Sequence, residues 1–315
     1  MKRIDDEIKR QLIKISRLYY FDDMTQQEIA DMMNMSRSKV SRSLTFAKEL
    51  GIVKIFIDDE FSEEQSLEKA ICEKFGLREA RVVEAEDKPI EDIAKQMGSA
   101  VTVFLDNLLK DNDILGLMAG YTINAISENM GAIYRKNLKI VPLVGGMGVT
   151  GAPWQVNKAT TLLSEKFKAP FYVLNCPTNV SSVEAKEILV KEPEIKEVLD
   201  LTKKCAVALV GIGEIGDSAT LVNIGSIKKK DANELLRHKA KASMGTSFFD
   251  AEGCEVDVNL SKRMIGVETE DLRKIPNVIA IAAGRNKVDA IKAALKSGIV
   301  NVLVTDADTA KGILN

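Results

Sequence analysis

The chain has 315 residues, 45% of them hydrophobic, and a formal net charge of −2 from 44 Lys and Arg against 46 Asp and Glu. That length can bury a sizeable core and predicts two domains rather than one, while the near-zero balance excludes a generally basic nucleic-acid protein, so any cationic surface must be local. Four widely spaced cysteines with no CxxC pair and a single histidine, His238, exclude a zinc or disulfide framework, and idle or buried thiols are expected.

The opening "MKRIDDEIKR" has neither the apolar core nor the small-residue cleavage site of a leader, and no apolar run is long enough to cross a bilayer. A cytosolic protein with no membrane partner is expected. Apolar Ile8, Leu12, Ile15 and Leu18 or Tyr19 recur at helical spacing and predict a first helix over about 5–20. T-Q-Q-E at Thr25–Glu28 is a capping box that opens a second helix. Asn34 and Met35 make a turn, Ser36 caps a third helix, and Gly51 ends it as a left-handed residue. "IVKIFID" then reads as a short strand pair or wing.

At about 100° per residue, the third helix places Arg37, Ser38, Ser41, Arg42, Thr45 and Lys48 on one arc. The opposite arc carries Val40, Ser43, Leu44, Phe46, Ala47 and Leu50, with Lys39 on the apolar side near the helix start, where its long side chain can reach out. From Met32 to Lys48 there is no acid. A solvated face on a structural three-helix bundle would explain the polarity alone. The capped turn, the acid-free face and the wing together favour a helix-turn-helix whose second helix enters the major groove. In that reading Arg37, Ser38 and Ser41 face bases, whereas Arg42 and Lys48 hold phosphates. Ser36, Lys39 and Thr45 complete the candidate DNA-binding set on this helix, and Gln26 and Gln27 fix the backbone from the start of the preceding one.

Acid-rich "DDEFSEEQ" (58–65) marks a change of composition and predicts a boundary, with a DNA-binding domain over 1–57 and a second domain over 58–315. "SLEKAICEKFG" follows as a helix, "ARVVEA" as a strand and "IEDIAKQMGSAVTVFLDNLL" as a long helix. Beyond them the apolar runs "DILGLMAG", "KIVPLVGG", "PFYVLNC", "CAVALVGIG", "VIAIAAG" and "VNVLVTD" alternate with helical spacers, which predicts an α/β domain with a parallel sheet covered on both faces.

Several of these strands end in glycine-containing turns, and ligands of open parallel sheets sit beyond the strands' carboxyl ends. Gly120, Tyr121 and Thr122 precede a helix, so free amides and a hydroxyl there could cradle an anion. Lys287, just inside another helix, could add a positive charge. Each turn alone is explained by backbone need for glycine; together they favour a small phosphorylated ligand. "GIGEIG" is not followed by a clear helix and is no dinucleotide fingerprint, so neither a cofactor nor a metal is expected. Trp154 could stack on a ligand or simply cover a loop, and His238, in basic "LLRHKAKA", is expected at the surface.

The segments "YYFDDMTQQEIADMMNMSRSKVSRSLTFAKELGIVKI", "GGMGVTGAPWQVN", "ALVGIGEIGDSATLVNIGSI", "SFFDAEG" and "IGVETEDLRKIPNVIAIAAGRNKVDAIKAALKSGIVNVLVTDADTAKGIL" resemble the SorC/DeoR-type bacterial transcriptional regulators, the sugar-binding regulators, over nearly the full length. This resemblance implies a winged helix-turn-helix followed by a Rossmann-like effector domain related to sugar-phosphate isomerases and deaminases. It further implies a homo-oligomer, dimer or tetramer, that binds operator DNA and responds to a phosphorylated sugar or polyol. On the family pattern, Gly120, Tyr121 and Thr122 match the first phosphate loop. Gly145, Gly146 and Gly148 match the second ligand loop, whose segment runs to Asn157, and Lys287 matches a lysine of the last site helix. Two departures stand out: the first loop reads G-Y-T where relatives commonly read G-T-T or G-Q-T, and Ser247 stands where many relatives have a basic residue. Fewer cations and hydroxyls point to one phosphate on the ligand rather than two.

The rival expectation is an active sugar-phosphate isomerase or deaminase, which needs a general base beside an anion site. Asp217 and Glu268 are available, but neither stands in a catalytic pattern, and no catalytic residue is assigned.

Overall fold

The computed structural model describes residues 6–55, 62–85, 88–147, 156–216, 219–223 and 227–315. The chain divides into two compact units, Met1–Glu60 and Phe61–Asn315.

The first unit holds α1 (Asp6–Tyr20), α2 (Gln26–Met32) and α3 (Arg37–Glu49). Ile15, Ile29, Ala30, Val40 and Leu44 form its core, one or two side chains from each helix, bordered by Leu18, Tyr19, Met24 and Met33. The capping box is complete: the Glu28 amide donates to the Thr25 hydroxyl at 3.3 Å, and the Thr25 amide donates to the Glu28 carboxylate at 2.8 Å. The Thr25 hydroxyl also donates to that carboxylate at 2.7 Å, and this bond, followed by the one from the Thr25 amide, holds the Glu28 carboxyl below its usual range. Replacing Thr25 with Ala removes that cap and is expected to cost about 1 kcal/mol, read as a lower denaturation midpoint of the three-helix unit. The turn before α3 uses Asn34 at φ 54°, a left-handed conformation that asparagine tolerates. After α3, Gly51 takes φ 68°; its amide reaches the Lys48 carbonyl and that of Ile52 reaches Ala47, which closes the helix as a Schellman motif. Gly51–Ile55 continues as turn and coil, and the rest of the expected wing, Phe56 and Ile57, lies outside the described residues.

The second unit begins with α4 (Ser62–Phe75), β1 (Glu79–Val83), α5 (Ile90–Leu108), β2 (Ile114–Leu117), α6 (Tyr121–Asn129) and β3 (Lys139–Pro142). There follow α7 (Val156–Phe167), α8 (Val183–Leu189), α9 (Pro193–Thr202), β4 (Val207–Gly211), β5 (Gly213–Glu214), α10 (Thr220–Asn223) and α11 (Lys229–Arg237). The chain closes with β6 (Ala242–Met244), β7 (Ser247–Phe249), α12 (Asn259–Lys262), α13 (Thr269–Lys274), β8 (Asn277–Ile281), a 3-10 turn at Arg285–Lys287, α14 (Val288–Lys296), β9 (Val302–Asp306) and α15 (Ala307–Leu314).

Six strands form one parallel sheet in the order β1-β9-β8-β4-β2-β3. Alternate residues of each strand feed opposite cores. Val207 and Leu209 of β4 pack with α5, α6 and α7, whereas Ala208 and Val210 pack with α4, α14 and α15. Burial on both faces is why these strands read as unbroken apolar runs. Cations from neighbouring elements tie off helix ends, where backbone carbonyls lack partners. Lys166 donates to the carbonyls of Ser127, Glu128 and Met130 at 2.8–2.9 Å and so binds the end of α6 to α7. Arg135 does the same for α5 through the Leu109 carbonyl and Asp106.

Two expectations change. "PFYVLNC" is not a strand of the sheet: it touches β3 by the single bridge of Phe171 to Ile140, because Pro170 offers no amide and the chain turns where the Cys176 amide meets the Leu174 carbonyl at 2.9 Å. A second, antiparallel sheet, β5-β6-β7, was not expected at all. The thiols are all free, with Cys176 and Cys205 buried, Cys72 half-buried and Cys254 exposed. Burial pushes Cys176 up to about 11 and Cys205 up to about 12, so both stay protonated and inert. Among the described residues no helix is long and apolar enough to cross a membrane, and no group of His, Cys, Asp and Glu could hold a metal ion.

Candidate functional site

Two sites emerge, one in each unit. In the first, α3 buries Val40, Leu44 and Ala47 against α1 and α2 and turns Arg37, Ser38, Lys39, Ser41, Arg42, Thr45 and Lys48 outward, all exposed. Phe46, expected on the apolar arc, is 41% exposed at its edge. Ser36 caps the helix by accepting from the Lys39 amide at 3.2 Å, and its hydroxyl lies 3.0 Å from that of Ser38. Arg37 shares a shallow groove with Tyr19, Tyr20, Thr25, Gln26 and Gln27, which brings the first residues of both helices onto one surface. Gln27 is braced by Asp31 at 2.9 Å.

Local contacts also orient the cations. The Arg42 Nε donates to the Ser38 carbonyl at 3.3 Å, and the Lys48 ammonium lies 5.9 Å from the centre of the Tyr20 ring. The Thr45 hydroxyl turns back to the Ser41 carbonyl at 3.2 Å, so its outward face is the methyl group. Among the described residues no carboxylate pairs with Arg37, Lys39, Arg42 or Lys48, and their charge stays available to an external anion.

The second site lies in the large unit. Strand order reverses beside β2, which is followed by β3 on one side and flanked by β4 on the other. Such a switch point opens a crevice beyond the carboxyl ends of the strands. A cavity of about 90 Å³ lies there, lined by Gly120, Tyr121 and Thr122 after β2, Gly211–Gly213 after β4, Val144 and Met147 after β3, and Lys287 after β8. At about 30 Å³ per water, this space is on the scale of a phosphate group. Gly120 sits at φ 153° as the residue before α6, and no side chain caps the helix start, so the first amides of α6 keep hydrogen-bonding capacity at the cavity wall. Tyr121 is 61% exposed at the rim.

Among the described lining residues, Lys287 carries the charge of this cavity. Burial pushes its ammonium below the usual lysine range, and the Glu214 carboxylate opposes that by favouring the charged form. The turn that carries Lys287 is pinned from behind. The Gly284 amide donates to the Asp306 carboxylate at 3.1 Å and the Thr309 hydroxyl at 2.8 Å.

The remaining sequence candidates separate. Gly145 and Gly146 do not line the cavity. Their amides donate to the Ile265 and Cys176 carbonyls, and a Cβ on Gly145 would stand 2.6 Å from the Cys176 oxygen, so Gly145 serves a tight approach of chain segments. Gly148, Trp154 and Asp217 lie outside the described residues. Asn157, in the first turn of α7, is not in the cavity wall either, yet its Oδ1 is buried without a partner among the described residues. His238 is exposed at the end of α11. Sequence reasoning missed Ser243 of β6 and Gly245 in the turn to β7, which line the cavity, because strands of two or three residues leave no periodic signal.

Comparison with known proteins follows the same division. Residues 59–315 match the family described as "Putative sugar-binding domain", and residues 9–47 match sigma-70 region 4. The chain is 32% identical over 311 residues to the deoxyribonucleoside regulator of Bacillus subtilis (strain 168), which covers 98% of this chain and 99% of that protein. It is 32% identical over 310 residues to the sorbitol operon regulator of Klebsiella pneumoniae, with 97% and 98% covered. The crystal structure of that full-length regulator superposes with a TM-score of 0.76 at 29% identity, over 99% of this chain and 100% of that one. A DeoR family transcriptional regulator from Listeria monocytogenes superposes with a TM-score of 0.73 at 31% identity, over 79% of this chain and 99% of that one.

Proposed function

The chain belongs to the SorC/DeoR-type family of sugar-binding transcriptional regulators, and from that premise we propose that it binds operator DNA through α3 and releases or engages it when a phosphorylated sugar or polyol occupies the cavity beside β2. The observation that carries this reading is the pairing, in one chain, of unneutralised cations on α3 with a cavity where Lys287 faces the open start of α6. Gly120, Tyr121, Thr122 and Lys287 hold the phosphate. Arg37, Ser38 and Ser41 face bases, Gln26 and Gln27 fix the backbone from the start of α2, and Ser36, Lys39, Arg42, Thr45 and Lys48 run along the phosphates. A homo-oligomer, dimer or tetramer, supplies two reading helices, so the operator is an imperfect palindrome with half-sites spaced by helical turns.

Coupling requires the ligand to prefer one arrangement of the oligomer, typically by about 1 to 3 kcal/mol. An enzymatic alternative needs a base at the anion site. Glu268, available by sequence, instead precedes α13 and pairs with Lys186 at 3.2 Å. Melting the protein against a panel of phosphorylated sugars and polyols tests the reading. The true effector at about 100 times its dissociation constant adds about 2.7 kcal/mol, a rise of several degrees, and shifts a gel-retarded operator complex. Rapid turnover of that compound, or a panel without any rise, overturns it.

A further inference from the structure

Among the described residues of the cavity wall Lys287 is the cation, and the turn that carries it is bonded to an acid. Glu214 is the second and last residue of β5, a strand held to β6 by only two pairs, Gly213 with Ser243 and Glu214 with Ala242. Its Oε2 accepts a hydrogen bond of 3.0 Å from the Asn286 Nδ2, the residue immediately before Lys287. The carboxylate is thereby fixed against the turn that carries Lys287, and it is the acid whose field acts on that ammonium. No described acid forms a close ion pair with Lys287, and Glu214 is the acid that favours its charged form.

A phosphate monoester placed between Lys287 and the start of α6 would bring a second negative group to the same ammonium. Two like charges that share one ammonium repel each other, the more so the less water lies between them. We propose that Glu214 is an internal counter-ion that stands in for the effector's phosphate: it balances Lys287 until a phosphate enters and then gives way. This inference rests on the reading of the cavity as an anion site. Because β5 has only two paired residues, displacement of Glu214 moves a weakly held strand rather than the six-stranded sheet. Gly213, the neighbour of Glu214 in β5, itself lines the cavity, so the same displacement reaches the wall. The switch therefore reads the ligand's charged group first, and an unphosphorylated sugar, lacking the charge to evict Glu214, leaves it in place.

Four variants separate this from simpler electrostatics. Glu214→Gln removes the charge but keeps an oxygen for Asn286. Asn286→Ala keeps the charge and removes the tether. Asp289→Asn makes the same change of net charge at an exposed position two residues beyond Lys287. Lys287→Met removes the cation. Each is titrated with inorganic phosphate at constant ionic strength, by calorimetry or thermal shift. Expected are about tenfold tighter binding in Glu214→Gln, equivalent to about 1.4 kcal/mol, and about threefold tighter binding in Asn286→Ala. Asp289→Asn should change it less than about twofold and Lys287→Met should lose it.

Phosphate bound by the wild type but no tighter by Glu214→Gln or Asn286→Ala overturns the counter-ion role and leaves the anion site intact. Equal tightening in Asp289→Asn reduces the effect to net charge and also overturns it. Should Glu214→Gln fail to fold, Asn286→Ala alone decides. Absence of phosphate binding in the wild type and in every variant overturns the anion reading and this inference together.

Discussion

A chain carrying both Arg37→Ala and Arg42→Ala is expected to bind operator DNA at least about a hundredfold more weakly than the wild type, at unchanged fold. Each guanidinium contact to a base edge or phosphate is worth about 1 to 3 kcal/mol, and neither side chain contributes to the core of its unit. Both are exposed, so the melting curve should stay within about 0.5 kcal/mol of the wild type. The two single variants should differ in kind. Arg37 shares its groove with Gln26 and Gln27 at the start of the reading helix, so Arg37→Ala should relax preference at one position of each half-site. Arg42, held along the helix by the Ser38 carbonyl, should instead lower affinity for all sequences and reduce the salt slope by about 1. Electrophoretic titrations at three salt concentrations, on operator and scrambled duplexes, measure both. Retention of full operator affinity by the double variant would refute the assignment of α3 to the groove.

The features legible in the sequence were those encoded by neighbours along the chain. T-Q-Q-E, Ser36 and Gly51 each describe a local hydrogen-bonding pattern, and each stands where the spacing placed it. Strands β2, β4, β8 and β9 were legible because burial on both faces makes them continuously apolar. What failed was non-local. Pro170 and the turn at Leu174–Cys176 keep an apolar run out of the sheet, a fact of hydrogen bonding rather than hydropathy. Gly145 looks like a ligand-loop glycine, yet the backbone of Cys176 and Pro177 decides its role from across the fold. Glu214 carries no signal at all, because its meaning depends on Asn286, distant in sequence and adjacent in space.

The second large effect tests how the cavity is held from behind. Arg263→Met should destabilise the large unit by about 3 to 5 kcal/mol in denaturant titrations. Arg263 is 8% exposed and its guanidinium donates to Asp231 at 2.6 Å, Asn179 at 2.6 Å, Asn259 at 3.1 Å and the Val180 carbonyl at 3.0 Å. Asp231 is 3% exposed, so loss of Arg263 strands a buried carboxylate without its partner. Asp231→Leu combined with Arg263→Met removes both charges and should recover much of the loss, because replacing a whole buried pair by apolar groups is often close to neutral. The Val180 amide donates to the Arg263 carbonyl and the Ile265 amide to that of Thr178, while Ile265 in turn receives the Gly145 amide. That ladder fixes the chain at Val144 and Met147, both in the cavity wall. The double variant should therefore regain stability while its response to the effector stays weaker than wild type, since the four hydrogen bonds that align the ladder are gone even though the charge penalty is relieved. Full recovery of both properties would make Arg263 a matter of charge balance alone and remove it from the support of the ligand site.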